Sequence, residues 1–401
     1  MGDGALDHAV TRLDLTEFRC FETLRLEIEA APVVLTGANG AGKTNLLEAI
    51  SLLAPGRGLR RARLAEVGRL GAARPWGVAA RVRAPGREVA VGTALEAPPP
   101  GPPRPAAAAG AGEDGEDGGV QRRVVKIDGV AEPQSALAGA LSLSWLVPQM
   151  DRLFVDGAGG RRGFLDRLAY GFDAGHAKRA GAYERLLRQR ARLLRDGRRD
   201  AAWLAALEQT MAEHAVAVGA ARRDALAGLE SGLAMSLGAF PGVRLDLEGW
   251  VERALEREPA LAVEGALRER WAAARDLDAA AGRTALGVHR TDLLAWHGTS
   301  GMPARQCSTG EQKALLVAIV LAHARVLAAH QGYPPILLLD EVAAHLDQAR
   351  RASLFEELLA MRAQAWLSGT DAAPFAALGR SARFLEMEDG RVGAVPRAVA
   401  R

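Results

Sequence analysis

The residues Gly37-Ala38-Asn39-Gly40-Ala41-Gly42-Lys43-Thr44 have the types and spacing of a phosphate-binding loop. An apolar run, Val33-Val34-Leu35-Thr36, precedes them, and a helical pattern, Asn45-Leu46-Leu47-Glu48-Ala49-Ile50, follows. That order of strand, glycine-rich loop and helix lets successive backbone N–H groups converge on phosphate oxygens at a helix N-terminus. Lys43 would reach the β- and γ-phosphates and Thr44 would set its hydroxyl on Mg²⁺, so ATP with Mg²⁺ is the expected cofactor. Lysine is scarce here. Besides Lys43 the chain has only Lys126, Lys178 and Lys313, and arginine supplies the other basic side chains. A compact ammonium is not interchangeable with a planar guanidinium at a phosphate site.

A second set of residues complements the loop. Ile336-Leu337-Leu338-Leu339-Asp340-Glu341 fits a Walker B strand, apolar because it is buried on both faces. Asp340 at its end would hold Mg²⁺ beside Thr44, and Glu341 would orient or deprotonate the attacking water. Upstream, Cys307-Ser308-Thr309-Gly310-Glu311-Gln312-Lys313 opens a helix. Ser308 as N-cap and Glu311 three residues later make a capping box, and that structural reading suffices by itself. The functional reading is an ABC-type signature, with Ser308 and Gly310 directed to a nucleotide held by another subunit. His345-Leu346-Asp347 is similar to a D-loop, and Gln149 after Pro148 is a candidate Q-loop residue. Thr370 stands where transporter ATPases have a switch histidine.

The elements that must position these groups are legible in outline. The chain has 401 residues, 49% hydrophobic and 25% charged, which suits a globular protein of two or three structural units. A net charge of +3 makes any nucleic-acid surface local. Cys20 and Cys307 are too few and too distant for a disulfide framework, which fits a reducing cytoplasm. The N-terminus has no apolar signal core, and the apolar stretch 315–329 is interrupted by His323 and Arg325, so no membrane partner is expected. Strands are predicted around Leu13, Leu24–Ile28, Trp76–Arg83, Glu88–Leu95, Arg122–Asp128, Ser142–Val147, Val243–Leu247, Gly287–Trp296 and Ala365–Ser368, with a closing hairpin at Asp389-Gly390. From Arg161 to about Leu237 the pattern is helical, with breaks at Gly171, Gly197 and Gly238, and another helix is predicted over 259–275. No heptad run supports a long coiled coil. The Pro-, Ala- and Gly-rich residues 97–119 read as a disordered loop inserted in a hairpin.

These motifs together resemble the RecF family of bacterial recombination-mediator ATPases, related to SMC and Rad50 heads. Besides the loop, Asp340-Glu341 and 308–313, the likeness is carried by Leu15-Thr16-Glu17-Phe18-Arg19, the segment 51–60, Arg161-Arg162-Gly163-Phe164-Leu165-Asp166, and Gly287-Val288-His289-Arg290-Thr291-Asp292-Leu293. The resemblance implies an α/β fold: an ABC-type P-loop ATPase head with mixed β-sheets (1–160 and 284–401) plus a helical lobe (161–283). It implies a homodimer formed on ATP binding and slow, DNA-stimulated hydrolysis used as a switch. It also implies binding to single-stranded and gapped DNA, and work with RecO and RecR to load RecA in repair, replication and SOS induction.

For DNA contact the sequence offers arginine clusters at 57–63, 161–167 and 185–199. Each alone reads as a solvated helix face, and Arg57, Arg60 and Arg61 are the preferred contacts because they follow the loop helix on a flexible turn. His289 is equally a core histidine or a functional one. Competing readings fare worse. A transporter ATPase needs a shorter interval than the 308 − 44 = 264 residues between loop and signature, and an SMC or Rad50 chain needs a coiled coil there.

Overall fold

The computed structural model describes residues 6–96, 122–196, 200–235, 237–343 and 346–394. Two compact units divide the chain: 1–145 with 336–344 and 362–401, and 146–335 with 345–361. The boundaries expected at 160/161 and 283/284 do not coincide with this division, because residues 284–335 pack inside the second unit. The inserted segment 97–119 lies outside the described residues.

The first unit is built on two six-stranded sheets. One runs β2 (Phe21–Glu27), β1 (Ala9–Phe18), β4 (Gly77–Ala84), β5 (Arg87–Leu95), β6 (Arg123–Ile127) and β7 (Val130–Glu132), with every neighbouring pair antiparallel. Alternation fixes its faces: Val78, Ala80 and Val82 are buried on β4 while Ala79, Arg81 and Arg83 are exposed. The other sheet has the order β14 (Arg391–Ala394), β13 (Arg383–Glu388), β3 (Val33–Thr36), β12 (Ala365–Ser368), β11 (Ile336–Leu339) and β8 (Leu143–Leu146). Strands β13, β3, β12 and β11 are mutually parallel, and β14 returns antiparallel to make the sheet mixed. Buried on both faces, β3, β11 and β12 read as unbroken apolar runs rather than alternating ones. Helix α1 (Lys43–Ser51) and the short helices α2 (Leu64–Val67) and α3 (Leu137–Ala140) complete the unit.

The second unit is mainly helical. Its helices are α4 (Ala158–Phe172), α5 (His176–Arg195), α6 (Ala201–Leu233), α7 (Trp250–Ala254), α8 (Ala260–Ala273), α9 (Arg275–Ala281), α10 (Thr309–Gln331) and α11 (Gln348–Ala360), beside a hairpin-like pair of β9 (Val243–Glu248) and β10 (Asp292–His297). Gly171 does not break α4. The chain turns at Asp173–Gly175, where the Asp173 carboxylate accepts the Gly175 N–H at 2.9 Å. Helix α6, 33 residues long, packs on α4, α5, α8 and α10. Helix α10 has the length and hydropathy of a membrane span, yet 67% of its apolar window is buried within the protein.

Buried arginines cross-link this helical core. Arg190, fully buried, donates to Glu208 (2.9 Å), Asp278 (2.6 Å), Thr284 (2.9 Å) and the Trp271 carbonyl (2.8 Å). A charge in low dielectric is tolerable only when each donor is so used. His323 on α10 is also buried. It donates from Nε2 to the Leu168 carbonyl at 2.9 Å and meets the edge of Phe172, and burial pushes its pKa down to about 4.

The fold therefore has an acid-sensitive latch. His323 stays neutral in the fold, while the unfolded chain takes up its proton below about pH 6.5. Stability from this group is full above that value and is lost as pH falls from there towards 4. Burial lowers His289 in the same direction. Urea unfolding of His323→Gln should lose up to about 3 kcal/mol less than wild type between neutral pH and the lower limit. Parallel stability curves would remove His323 from the account.

Candidate functional site in the first unit

The parallel sheet sets the chemistry. Strand β3 delivers the loop 37–42, and β11 delivers Asp340 and Glu341 at the same, C-terminal, edge, with β12 between them. Ligand crevices of parallel sheets lie at that edge. Gly37, Gly40 and Gly42 have φ of 138°, 87° and 106°, a region open to glycine. At Gly37 a Cβ would lie 2.2 Å from the Met387 carbonyl oxygen of β13. The Gly37 N–H donates to the Thr370 carbonyl at 3.2 Å, so the chain after β12 anchors the loop's first residue.

Lys43 begins α1, and its side chain folds back. Nζ donates to the carbonyls of Gly37 (2.6 Å) and Ala38 (2.8 Å). Burial lowers its pKa, and the nearby Glu341 and Asp340 carboxylates partly offset that. Ala38, Asn39 and Gly40 are exposed, while Ala41 and Gly42 are buried. The Thr44 hydroxyl lies 2.9 and 3.1 Å from the two Asp340 oxygens. Ser368, at the end of β12, donates to Asp340 Oδ1 at 2.6 Å and accepts the Glu341 N–H at 2.9 Å. Glu341 itself has φ of 53°, left-handed and costly for a non-glycine residue. Its side chain is half-buried.

The set fits a nucleoside triphosphate with a hard cation. A glycine-rich loop, one lysine, one hydroxyl and one carboxylate match phosphate oxygens and Mg²⁺, which takes few protein ligands. Among the described residues no group of three or more His, Cys, Asp or Glu could form an all-protein metal cage.

Sequence reasoning passed over three features. Ser368, in the sequence only the last residue of a predicted strand, ties Asp340 to Glu341. Glu48 on α1, 1% exposed, accepts two hydrogen bonds from Arg19 (2.8 and 2.6 Å) and one from Arg60 (3.1 Å). Arg60, expected at a DNA surface, is thereby held on the loop helix, where it also donates to Asn45 at 2.8 Å. Arg57 and Arg61 are exposed. Beside Arg19, Cys20, Asn45 and Arg69 lies an open groove of about 590 Å³.

Residues of the second unit

Ser308 caps α10 as the sequence pattern requires. Its hydroxyl accepts the Glu311 N–H, and Glu311 Oε2 accepts the Ser308 N–H at 2.8 Å. Ser308, Thr309 and Gly310 are exposed. Gln149 is exposed on the single turn Pro148–Arg152. Leu346 is buried and Asp347 caps α11, while His345 lies outside the described residues.

The two motif segments 161–166 and 287–293 meet each other. Arg161 makes a two-pronged bond to Asp292 (2.7 and 2.8 Å), and Arg162 donates to the Thr291 carbonyl at 2.9 Å. Asp166 accepts twice from Arg222 (2.8 and 3.0 Å), which also donates to the Val288 carbonyl at 2.6 Å. His289 accepts from the Tyr183 hydroxyl at Nδ1 (2.8 Å) and donates from Nε2 to the Thr284 carbonyl (2.9 Å), the pattern of a satisfied neutral core histidine. Arg290 is the exposed member.

Fold and site together define a P-loop ATPase of the ABC head class, with mixed sheets and a helical portion. A family model described as an AAA domain matches residues 12–63. The DNA replication and repair protein RecF of Mesorhizobium japonicum is 46% identical over 387 residues, covering 96% of this chain and 97% of its own length. The proteins of that name from Rhizobium etli and Agrobacterium fabrum are 44% and 43% identical, each matching 96% of this chain. A solved structure of the recombination mediator protein RecF with ATP aligns with a TM-score of 0.78 at 20% identity, over 97% of this chain and 99% of that one. An Smc head domain from Pyrococcus furiosus shares the fold at a TM-score of 0.51 and 16% identity, over 97% of this chain and 96% of that one. The chain belongs to the RecF family.

Ser368→Ala would leave the Glu341 N–H without its acceptor and Asp340 with only the Thr44 hydroxyl as donor, at a carboxylate that is buried. Its expected cost is about 1–3 kcal/mol in urea unfolding, whereas Thr370→Ala, whose exposed hydroxyl donates to Asp371, should change less than about 0.5 kcal/mol. Equal effects for the two would show that Ser368 does not hold the Walker B turn.

Proposed function

We propose that the chain is an ATP-gated, DNA-binding dimer of recombinational repair, with slow, DNA-stimulated hydrolysis acting as a conformational switch. The observation that carries this reading is the hydrogen-bonded set Thr44–Asp340–Ser368–Glu341 at the edge of the parallel sheet. Relatives named as DNA replication and repair proteins support the setting. In this reading head and lobe are functional regions, 1–160 with 284–401 and 161–283, that differ from the two compact units.

The residues take the following roles. Loop amides beyond Gly37, whose N–H is bonded to Thr370, hold the triphosphate, and Lys43 leaves the Gly37 and Ala38 carbonyls for phosphate oxygens. An anion there stabilises the ammonium against its burial. Thr44 and Asp340 would hold Mg²⁺, which would supply charge neutralisation at the phosphates. Glu341 orients the attacking water and takes its proton. Ser308 and Gly310, exposed at a helix N-terminus, complete the site of a second copy. The dimer is then stable only while both sites are filled, and hydrolysis releases it. DNA, single-stranded or gapped duplex, is the substrate of the closed form, with RecO, RecR and RecA as further partners in the cytoplasm. Arg57 and Arg61 are available for phosphate contact, whereas Arg60 is committed to α1.

A transporter subunit is the weaker alternative, since Thr370 occupies the switch position and its hydroxyl is taken by Asp371. Sedimentation with ATP and with ADP separates the readings. Wild type should double in mass with ATP only. Lys43→Arg should lose that response through weaker nucleotide binding. Ser308→Arg should bind ATP with little loss but stay monomeric. A dimer persisting in Ser308→Arg would overturn the composite site.

A further inference from the structure

Helix α5 carries a ridge that neither its packing nor the ATP site uses. Its inner face buries His176, Tyr183, Arg190, Leu193 and Leu194. Lys178, Arg185, Arg188, Arg192 and Arg195 are all exposed. Their spacing of seven, three, four and three residues puts them on one stripe of the helix. At 1.5 Å per residue the stripe is about 26 Å long, with its four arginines within about 15 Å. Among the described residues none of the five forms an ion pair, unlike Arg179, paired with Asp173, or Arg190, paired with Glu208 and Asp278.

The plainer explanation is solubility and charge at a helix C-terminus. It suits Arg192 and Arg195 in the last turn. It does not account for Arg185 and Arg188, two turns earlier, where like charges three and four residues apart repel. Glu184 and Asp196 are the acidic residues of this helix and its C-cap, so the exposed surface is strongly cationic in a chain of net charge +3. We infer that this ridge is a phosphate-contact surface for duplex DNA. The inference rests on the DNA-binding reading above and moves the main contact from the 57–61 turn to α5. A rigid line of guanidinium groups matches a regularly spaced phosphate backbone. Duplex rather than single-stranded DNA is the occupant because the ridge offers no stacking platform. The helix's one aromatic, Tyr183, is buried and bonded to His289.

The test measures binding of the full chain with ATP to a mixed-sequence duplex of about 30 base pairs, by anisotropy against salt. The variants are Arg185→Gln/Arg188→Gln/Arg192→Gln, the matching triple lysine variant, and Arg57→Gln/Arg61→Gln. The glutamine triple should reduce the slope of log K against log salt by about two to three, and weaken binding at least tenfold at about 0.15 M salt. The lysine triple should keep the slope, since point charges suffice for phosphate neutralisation. ATP-driven dimerisation should be unchanged in both triples. If the glutamine triple misfolds by circular dichroism, Arg188→Gln alone decides, with an expected slope change of about one. A wild-type slope in the glutamine variants, with duplex bound normally, overturns the ridge and leaves the DNA reading intact. A loss confined to a single-stranded probe overturns it too. Failure of wild type to bind any DNA removes both.

Discussion

The Asp340 carboxylate, 2% exposed, must be satisfied from within the protein because water scarcely reaches it. Two hydroxyls do this: Thr44 from the loop helix and Ser368 from β12. Thr44 follows β3 on α1 and Ser368 ends β12, so satisfying the carboxylate depends on β3, β12 and β11 being in their observed order and register. The arrangement thus links sheet assembly to site assembly. It also presents an oxygen cluster suited to a hard cation, since hydroxyl and carboxylate already converge there. The unfavourable φ of Glu341 belongs to the same construction, because the Ser368 hydroxyl bonds the backbone of that very residue.

The second unit solves a different problem. Its helices are rich in Ala, Leu and Arg, a composition that gives propensity but little shape. Directional bonds supply the specificity that similar apolar faces lack. Arg190 joins α5, α6 and α9, and Arg222 joins α6 to α4 and to the turn before β10. Each guanidinium ends in carboxylates, carbonyls or a hydroxyl, and removing a carboxylate partner would leave its buried charge only partly compensated. The paired motifs at 161–166 and 287–293 make sense here as two halves of one clasp.

Much of the first unit was legible because local signals agree there. Val33–Thr36 followed by Gly-rich residues and Lys43 permits one reading, and the apolar run before Asp340 is a strand by burial alone. The order of the sheet was not legible, because β3 pairs with residues more than three hundred positions away and no local pattern encodes the partner. Ser368 was obscure for the same reason: a lone serine at a strand end carries no motif. Helix α11 was passed over behind the acidic pair, and the clasp joins residues about 130 apart. The capping box at Ser308–Glu311 was fully legible, since it is complete within four residues.

Arginine shows why clusters in sequence do not translate into surfaces. Within α5 a run of basic residues looks uniform, yet Arg190 is the most buried side chain of the group and Arg188 and Arg192 are exposed. In the 57–63 segment Arg60 is spent on Glu48 while Arg57 and Arg61 remain outside. One residue type therefore serves as internal cross-link, as support for the loop helix and as free surface charge. Helical period, not local density, separates these roles: residues one turn apart share a fate, and those half a turn apart do not. A basic patch is thus defined only after subtracting the arginines that the fold itself consumes, and in α5 that subtraction leaves one cationic stripe on the exposed side.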